Sequence, residues 1–433
     1  MTGIKRRKGV RYVVGLDVGT TKICAIVATV CSKGLEIIAL SSSPSKGLRK
    51  GLVTDVDAAA EAISRAVAGA EEQAGIPIRD VFVGIAGSHV KSLDSHGAVT
   101  VRGRTVTQED VERAIDAASA VYVPLDREIL HVLPTDFILD GRAGIRDPVG
   151  LAGDKLEVKV YIVTGSVASV QNLISCCERA QRKVLDIVMQ PLASAEATLS
   201  ADERESGIAL VDIGGGTTDI AVYRDGWLRH ASVIGIGGNH FTNDLSVGLK
   251  ITFQEAERIK KEFGSVIRRE GKQSGFIEVV SIDGQVQNME RTCVTEILQP
   301  RGEELLALIR NDLDRIQEQG FTLSGVVLTG GASLLTGFDR LAEAELSLPV
   351  RVGFPGNVPC RGPGREAGAA GRQEVAPMLR IELNSPIYAT GIGLVMFGGQ
   401  MMRSDVADMA SGNLFADVLD KMKGWFQKVT WRG

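Results

Sequence analysis

The sequence predicts an α/β protein made of two similar domains that face one another. A small α/β subdomain is inserted in the first, and an amphipathic helix lies at the C-terminal end. Three observations lead there. A Gly/Thr-rich strand–turn–strand unit occurs twice, about 195 residues apart. A stretch without such loops interrupts the first half. The last twenty or so residues carry a helical apolar stripe.

The unit is fullest at 208–223, where apolar runs flank Asp212, Gly214, Gly215, Gly216, Thr217, Thr218 and Asp219. The flanks read as buried strands joined by a tight turn. Glycines let that backbone approach a ligand closely and aim N–H groups at an anion. Thr217 and Thr218 add hydroxyl donors. Asp212 repels phosphate but suits Mg²⁺, which keeps most of its waters beside phosphates. The first copy, 13–27, repeats the pattern as Asp17, Gly19, Thr20 and Thr21, and Lys22 adds a point positive charge. Each domain would thus lend one loop to phosphates bound between them, with Asp17 and Asp212 holding the metal through water.

The length of 433 residues suffices for two domains of about 200 residues each. A net charge of −4 gives no field for nucleic acid. No apolar run reaches the roughly 18 residues that span a bilayer. Residues 1–11 form a basic tail without the apolar core of a secretory signal. The cysteines lack metal spacing, and the adjacent Cys176 and Cys177 suit neither an ordinary disulfide nor zinc, so reduced thiols in the cytoplasm are expected.

In chain order, strands are expected over 12–40 and at 81–86, in the first part of domain I, 12–86. An alanine-rich helix over 57–74 lies between them and stops before Gly75 and Pro77. The insert is assigned 87–154. It holds a strand near 98–101, a helix over 108–120 opened by a Thr107/Asp110 capping box, and a strand over 128–137. It lacks Gly-rich loops, His clusters and paired acids, so it reads as a protein-interaction module. Residues 155–164 are expected to return to the first domain's sheet, opening that domain's second part, 155–200, with a helix over 167–180. In domain II, 201–398, a strand over 231–237 and helices over 239–249 and 253–263 follow. Residues 353–377 have too few large apolar side chains for a core and read as a mobile loop. Residues 399–412 read as a linker.

From 413 to 433, Leu414, Phe415, Val418, Leu419, Met422, Trp425, Phe426 and Val429 share one helical face, opposite Lys421, Lys423 and Lys428. Asn413 suits the N-cap, and early acids suit the helix dipole. Such a helix fits a membrane interface with anionic lipid. Docking on the protein's own core, or dimerisation, is the alternative.

The paired loops resemble those of the actin/Hsp70/sugar-kinase superfamily of ATP-binding, ribonuclease H-like folds. Residues 186–198 and 385–394 sit where that superfamily has its two small-residue connecting helices. The resemblance implies ATP with Mg²⁺, adenosine held by Glu257, Lys260 and Lys261, and an adenosine loop containing Gly330, Gly331 and Ala332. Gln190 would orient an attacking water; whether ATP is turned over stays open. With the insert and the terminal helix, nearly the whole chain resembles the FtsA family of bacterial cell-division proteins. That implies a polymerising adaptor at the cytoplasmic face of the cell membrane, at the division septum. Its partners would be the C-terminal tail of FtsZ, docked on 228–300, further copies of itself, and later division proteins. The 353–377 loop departs from that family's pattern. A sugar or small-molecule kinase needs a catalytic base in the first domain, and none stands out. The related pilus-assembly adaptor should lack the terminal helix, and Hsp70 would need a following substrate domain.

Overall fold

The computed structural model describes residues 11–31, 34–268, 275–318, 320–356 and 383–407. The basic tail up to residue 10, most of the 353–377 loop and the whole terminal helix lie outside the described residues, while Arg11, assigned to the tail, opens the first strand.

The first domain opens with β1 (Arg11–Val18), β2 (Lys22–Cys31) and β3 (Gly34–Pro44). The small hairpin of β4 (Leu48–Arg49) and β5 (Leu52–Val53) precedes α1 (Val56–Ala74) and β6 (Asp80–Ile85). Helix α1 is capped by the Asp55 carboxylate and ends at Gly75, whose φ of 66° is the left-handed stop that glycine adopts at no cost. The insert contributes β7 (Lys91–Thr100), α2 (Gln108–Ser119), β8 (Arg127–Leu139), β9 (Arg142–Ile145) and β10 (Lys155–Ser166). The expected Thr107/Asp110 capping box opens α2. Next come α3 (Val167–Arg179), β11 (Lys183–Met189) and α4 (Gln190–Thr198).

The second domain runs α5 (Ala201–Ser206), β12 (Ile208–Ile213), β13 (Thr218–Arg224), β14 (Trp227–Ile234), α6 (Gly238–Leu249) and α7 (Phe253–Phe263). It continues through β15 (Phe276–Val280), β16 (Val286–Glu290), α8 (Arg291–Glu318), β17 (Gly325–Thr329), α9 (Phe338–Leu346) and β18 (Val350–Val352). Helix α10 (Ala389–Ala407) closes the described chain.

The two main sheets share one topology. Their strand orders are β3-β2-β1-β6-β11 and β14-β13-β12-β17-β18. In each, an antiparallel run of three meets parallel strands on the other side. Strand β12 is buried along its whole length, as a strand covered on both faces must be. The Gly/Thr turns join β1 to β2 and β12 to β13, so the repeat in the sequence is a repeat in the fold.

Five expectations need correction. Residues 155–166 do not return to the first domain's sheet. They form β10, the centre of the insert's own sheet, β7-β10-β8-β9. Alternating burial marks a strand but does not say which sheet receives it. Residues 186–189 are strand, and the connecting helix begins only at Gln190, because Asp186 to Met189 pair in parallel with β6. The strand expected over 231–237 starts earlier, at Trp227, and ends at Ile234. The linker expected from 399 is helical through Ala407, since Met401 is buried and Arg11 Nη1 donates to the Met402 carbonyl at 2.9 Å. Helix α10, assigned with the second domain, in fact shares its core with Val13, Cys24, Ile26 and Phe82 of the first.

Helices α4 and α10 cross between the domains almost backbone to backbone. A methyl group at Gly393 would overlap the Ala193 carbonyl oxygen, and one at Gly15 would lie 2.8 Å from the Gly391 oxygen. Gly393→Ala should therefore destabilise the fold by about 1–3 kcal/mol, the usual overpacking cost. Gly275→Ala, at a position with open space, is the control and should leave the thermal midpoint unmoved. Thermal unfolding followed by circular dichroism measures both.

Candidate functional site

The site is built where the two Gly/Thr turns meet. A Cβ on Gly215 would collide with Thr21 Oγ1, and one on Gly216 would lie 2.7 Å from Thr20 Oγ1. Only glycines on the second turn let the first come so near. Thr20 Oγ1 also accepts the Gly51 N–H at 3.1 Å, tying the first turn to the β4–β5 hairpin. The N-terminus of α6 closes on the second turn: Gly238 N donates to Gly214 O and Asn239 N to Gly215 O, both at 2.8 Å. Thr21 Oγ1 donates to Asn239 Oδ1 at 3.3 Å, across the domains.

Beneath the turns lie Asp17 at the end of β1 and Asp212 near the end of β12, both buried. The Gln190 amide donates to Asp17 Oδ1 at 3.1 Å. Asp212 Oδ2 accepts from Ser194 Oγ of α4 at 2.5 Å and from Thr390 Oγ1 of α10 at 3.2 Å. The hydroxyls themselves stand 3.0 Å apart. Gly330, at φ 83°, packs directly on Asp212 Oδ1, where a side chain would not fit.

Burial pushes Asp17 up to about 6, with Lys22 opposing and Asp212 adding to the rise. Burial raises Asp212 as well, against the hydrogen bonds from Ser194 and Thr390. Asp219 is pushed well above its ordinary range by burial and by Asp212, and its Oδ1 has no hydrogen-bond partner among the described residues. Three neighbouring buried acids with an orphaned oxygen create a demand for positive charge. Among the described residues no group of three His, Cys, Asp or Glu side chains can hold a metal ion directly. The donor set therefore suits a cation that keeps its waters, as Mg²⁺ does. Lys22 Nζ donates to the Ile387 carbonyl at 2.7 Å and lies 4.3 Å from the Tyr388 ring centroid.

The residues expected on the adenosine side converge on the same turn. Lys260 Nζ reaches Glu257 at 2.6 Å, Thr242 Oγ1 at 2.8 Å and the Gly238 carbonyl at 3.1 Å. Burial pushes Glu257 up, but Lys260 and Thr242 outweigh it and hold the carboxyl below its usual value. Lys261 pairs with Glu257 at 3.2 Å but remains largely exposed. A Cβ on Gly238 would stand 3.4 Å from Ala332 Cβ and 3.6 Å from Lys260 Nζ, so the α7 lysine and the Gly331–Leu334 turn flank one glycine.

Sequence reading missed Ser194, Thr390, Asn239 and Thr242, and gave Asp219 no role. The glycines at 235, 237 and 238 were the available signal for the α6 contact. Nothing local marks Ser194 and Thr390 as partners of one carboxylate, because they are far apart in the chain.

Two facing domains of one topology, with matched turns over buried aspartates, define an actin-like two-domain protein. The likeness extends to solved structures. The PilM-PilN type IV pilus biogenesis complex matches with a TM-score of 0.64 at 17% identity, covering 89% of this chain and 98% of that one. The ethanolamine utilization protein EutJ from Carboxydothermus hydrogenoformans matches at 0.50 and 18% identity, covering 89% of each chain.

The family models go further. Residues 209–393 match "Cell division protein FtsA", and 87–164 match "SHS2 domain inserted in FTSA". The FtsA of Pseudomonas aeruginosa is 39% identical over 96% of this chain and 98% of its own length. The FtsA of Bacillus subtilis is 36% identical over 89% and 82%. The FtsA of Escherichia coli is 33% identical over 96% and 98%. The chain belongs to the FtsA family of cell division proteins, with an SHS2 insertion in its actin-like fold.

The raised Asp17 makes a prediction for the ligand-free chain. An unfolded aspartate releases its proton near its ordinary 3.8, but the folded one holds it to about 6. Stability from this group is complete below the lower value and is lost as pH rises through the upper one. Asp17→Asn keeps an oxygen for Gln190 and removes the buried charge. It should stabilise the ligand-free protein at pH 7.5 by up to about 3 kcal/mol, and by nothing at pH 4. Urea unfolding at the two pH values measures the difference; equal gains at both would refute the assignment.

Proposed function

We propose that the chain is an ATP-binding cell-division scaffold. It polymerises at the cytoplasmic face of the cell membrane, ties the FtsZ ring to that membrane at the division septum, and recruits later division proteins. The observation that carries this reading is the convergence of both Gly/Thr turns, α6, α7 and the Gly331–Leu334 turn around Asp17 and Asp212.

In this reading the ATP phosphates lie between the turns 19–22 and 214–218, with Lys22 as their cation. Asp17 and Asp212 hold Mg²⁺ through its waters. Glu257, Lys260 and Lys261 take the ribose and adenine edge, and Gly330, Gly331 and Ala332 lie against the adenosine. Gln190, already on Asp17, orients an attacking water in any hydrolysis. No catalytic base for a second substrate is assigned, so turnover is expected to be slow beside the typical enzyme value of about 10 s⁻¹.

FtsZ's C-terminal tail is assigned to 228–300. Within that span Val247, Phe253, Phe276, Ile282 and Val286 are exposed apolar side chains, the type of residue a bound peptide covers. No helix among the described residues is long and apolar enough to cross a membrane. The stripe from Leu414 to Val429 supplies the peripheral anchor. Each lysine adds about 1 kcal/mol near anionic lipid, so one helix binds reversibly. A polymer presents many helices, and each later one inserts at high effective concentration.

Two measurements test this. Lys22→Ala loses a charge-assisted contact worth about 1.5–3 kcal/mol, so its ATP affinity in calorimetry should fall about tenfold or more. Unchanged affinity removes the phosphate-site reading. Trp425→Glu places a charge in the apolar stripe, which costs several kcal/mol of burial and desolvation. Its sedimentation with anionic liposomes should collapse while ATP binding survives. A lowered melting temperature with intact liposome binding would instead mark a helix docked on its own core.

A further inference from the structure

Through buried side chains the insert touches the strands that lead into both sides of the candidate site. On the first-domain side, His131 of β8 is buried, and its Nε2 accepts the Met189 N–H at 2.9 Å. The ring therefore carries its proton on Nδ1. Burial lowers His131 to about 4, so the imidazole stays a neutral acceptor at neutral pH. Met189 ends β11, and the next residue is Gln190, whose amide sits on Asp17.

On the second-domain side, the Tyr161 hydroxyl of β10 accepts the Ala231 N–H at 2.7 Å and faces the Ala231 carbonyl at 3.2 Å and Ser92 Oγ at 2.5 Å. Strand β14 is the edge of its sheet, so this hydroxyl satisfies backbone groups that have no strand beside them. Three residues on, β14 ends, and the chain enters 235–238. There Thr218 Oγ1 donates to Ile236 O at 2.8 Å, and Gly238 N donates to Gly214 O. One apolar cluster binds the parts together: Tyr161, Val163 and Leu133 from the insert, Met189, and Leu210 and Leu228 from the second domain. Trp227 of β14 packs on the insert's own core.

We propose that the insert is coupled to the nucleotide site through His131 and Tyr161, which act as positioning residues for Gln190 and for the 214–218 turn. A ligand that shifts the insert then changes nucleotide affinity, and nucleotide changes the affinity for that ligand by the same factor. This rests on the reading that the two turns hold ATP. It gives the insert a second role besides presenting an outer surface.

The test compares His131→Leu, His131→Gln and Tyr161→Phe in the full chain by amide hydrogen exchange and ATP calorimetry. His131→Leu should raise exchange at 190–194, and Tyr161→Phe at 234–239 and 214–218. Each should weaken ATP about three- to thirtyfold, the range of coupling between contacting elements. His131→Gln restores an acceptor oxygen and should return affinity to within about twofold of the unaltered chain, a rescue that a merely structural role does not predict. Lower melting temperatures with unchanged exchange at 190–194 and 214–218 and unchanged affinity overturn the proposal. If the unaltered chain fails to bind ATP, the site reading falls, and the exchange pattern still decides the coupling. If His131→Leu does not fold, Tyr161→Phe and His131→Gln decide alone.

Discussion

A single buried carboxylate, Asp212, holds the halves of the molecule in register. Its charge is costly in a low-dielectric interior unless donors surround it. Ser194 from α4 and Thr390 from α10 supply them, and each comes from a different helix of the crossing. Those hydroxyls reach the same oxygen where α10 lies on the backbone of α4, a closeness that a side chain at 393 would not allow. The crossing in turn brings the two Gly/Thr turns into contact. Packing, charge satisfaction and site geometry are one constraint here, and changing any part strains the others.

The three acids set the electrostatics. Burial raises Asp17, Asp212 and Asp219, Asp212 adds to the rise at the other two, and Lys22 opposes it at Asp17 and Asp212. The ligand-free protein thus keeps unfavourable charge at neutral pH. A hydrated cation relieves that cost in the folded state alone, so binding and stability are linked. The adenosine side is arranged differently. Glu257 and Lys260 already satisfy each other, with Thr242 as a further donor to the carboxylate.

Much of this was legible in the sequence because it is local. The paired Asp–Gly–Thr runs gave the duplicated topology, and Thr107 with Asp110 placed the start of α2 at the right residue. What was not legible depends on pairing at long range. The alternation of 155–166 fits any half-buried strand, and only its partners β7 and β8 assign it to the insert. Asp186 to Met189 read as part of the first connecting helix, because the parallel partner β6 that makes them a strand lies about a hundred residues earlier. Ser194 and His131 carry no motif. Their roles follow from which backbone or carboxylate the fold brings within reach.

The helix crossing also limits how the domains can move. Where ridges of side chains separate two helices, they can slide past each other in small steps, the shear mode of domain motion. Between Ala193 and Gly393 no such layer exists, and the backbones themselves are in contact. That contact offers no side-chain layer for small sliding steps, so the geometry favours rotation about it. Asp212, close to that pivot, would travel little as the domains open, while the tips of the turns at Thr21 and Gly215 and the far rim of the insert would sweep the longest arcs. A lever of this shape converts a small change at the centre of the molecule into a large one at its outer faces.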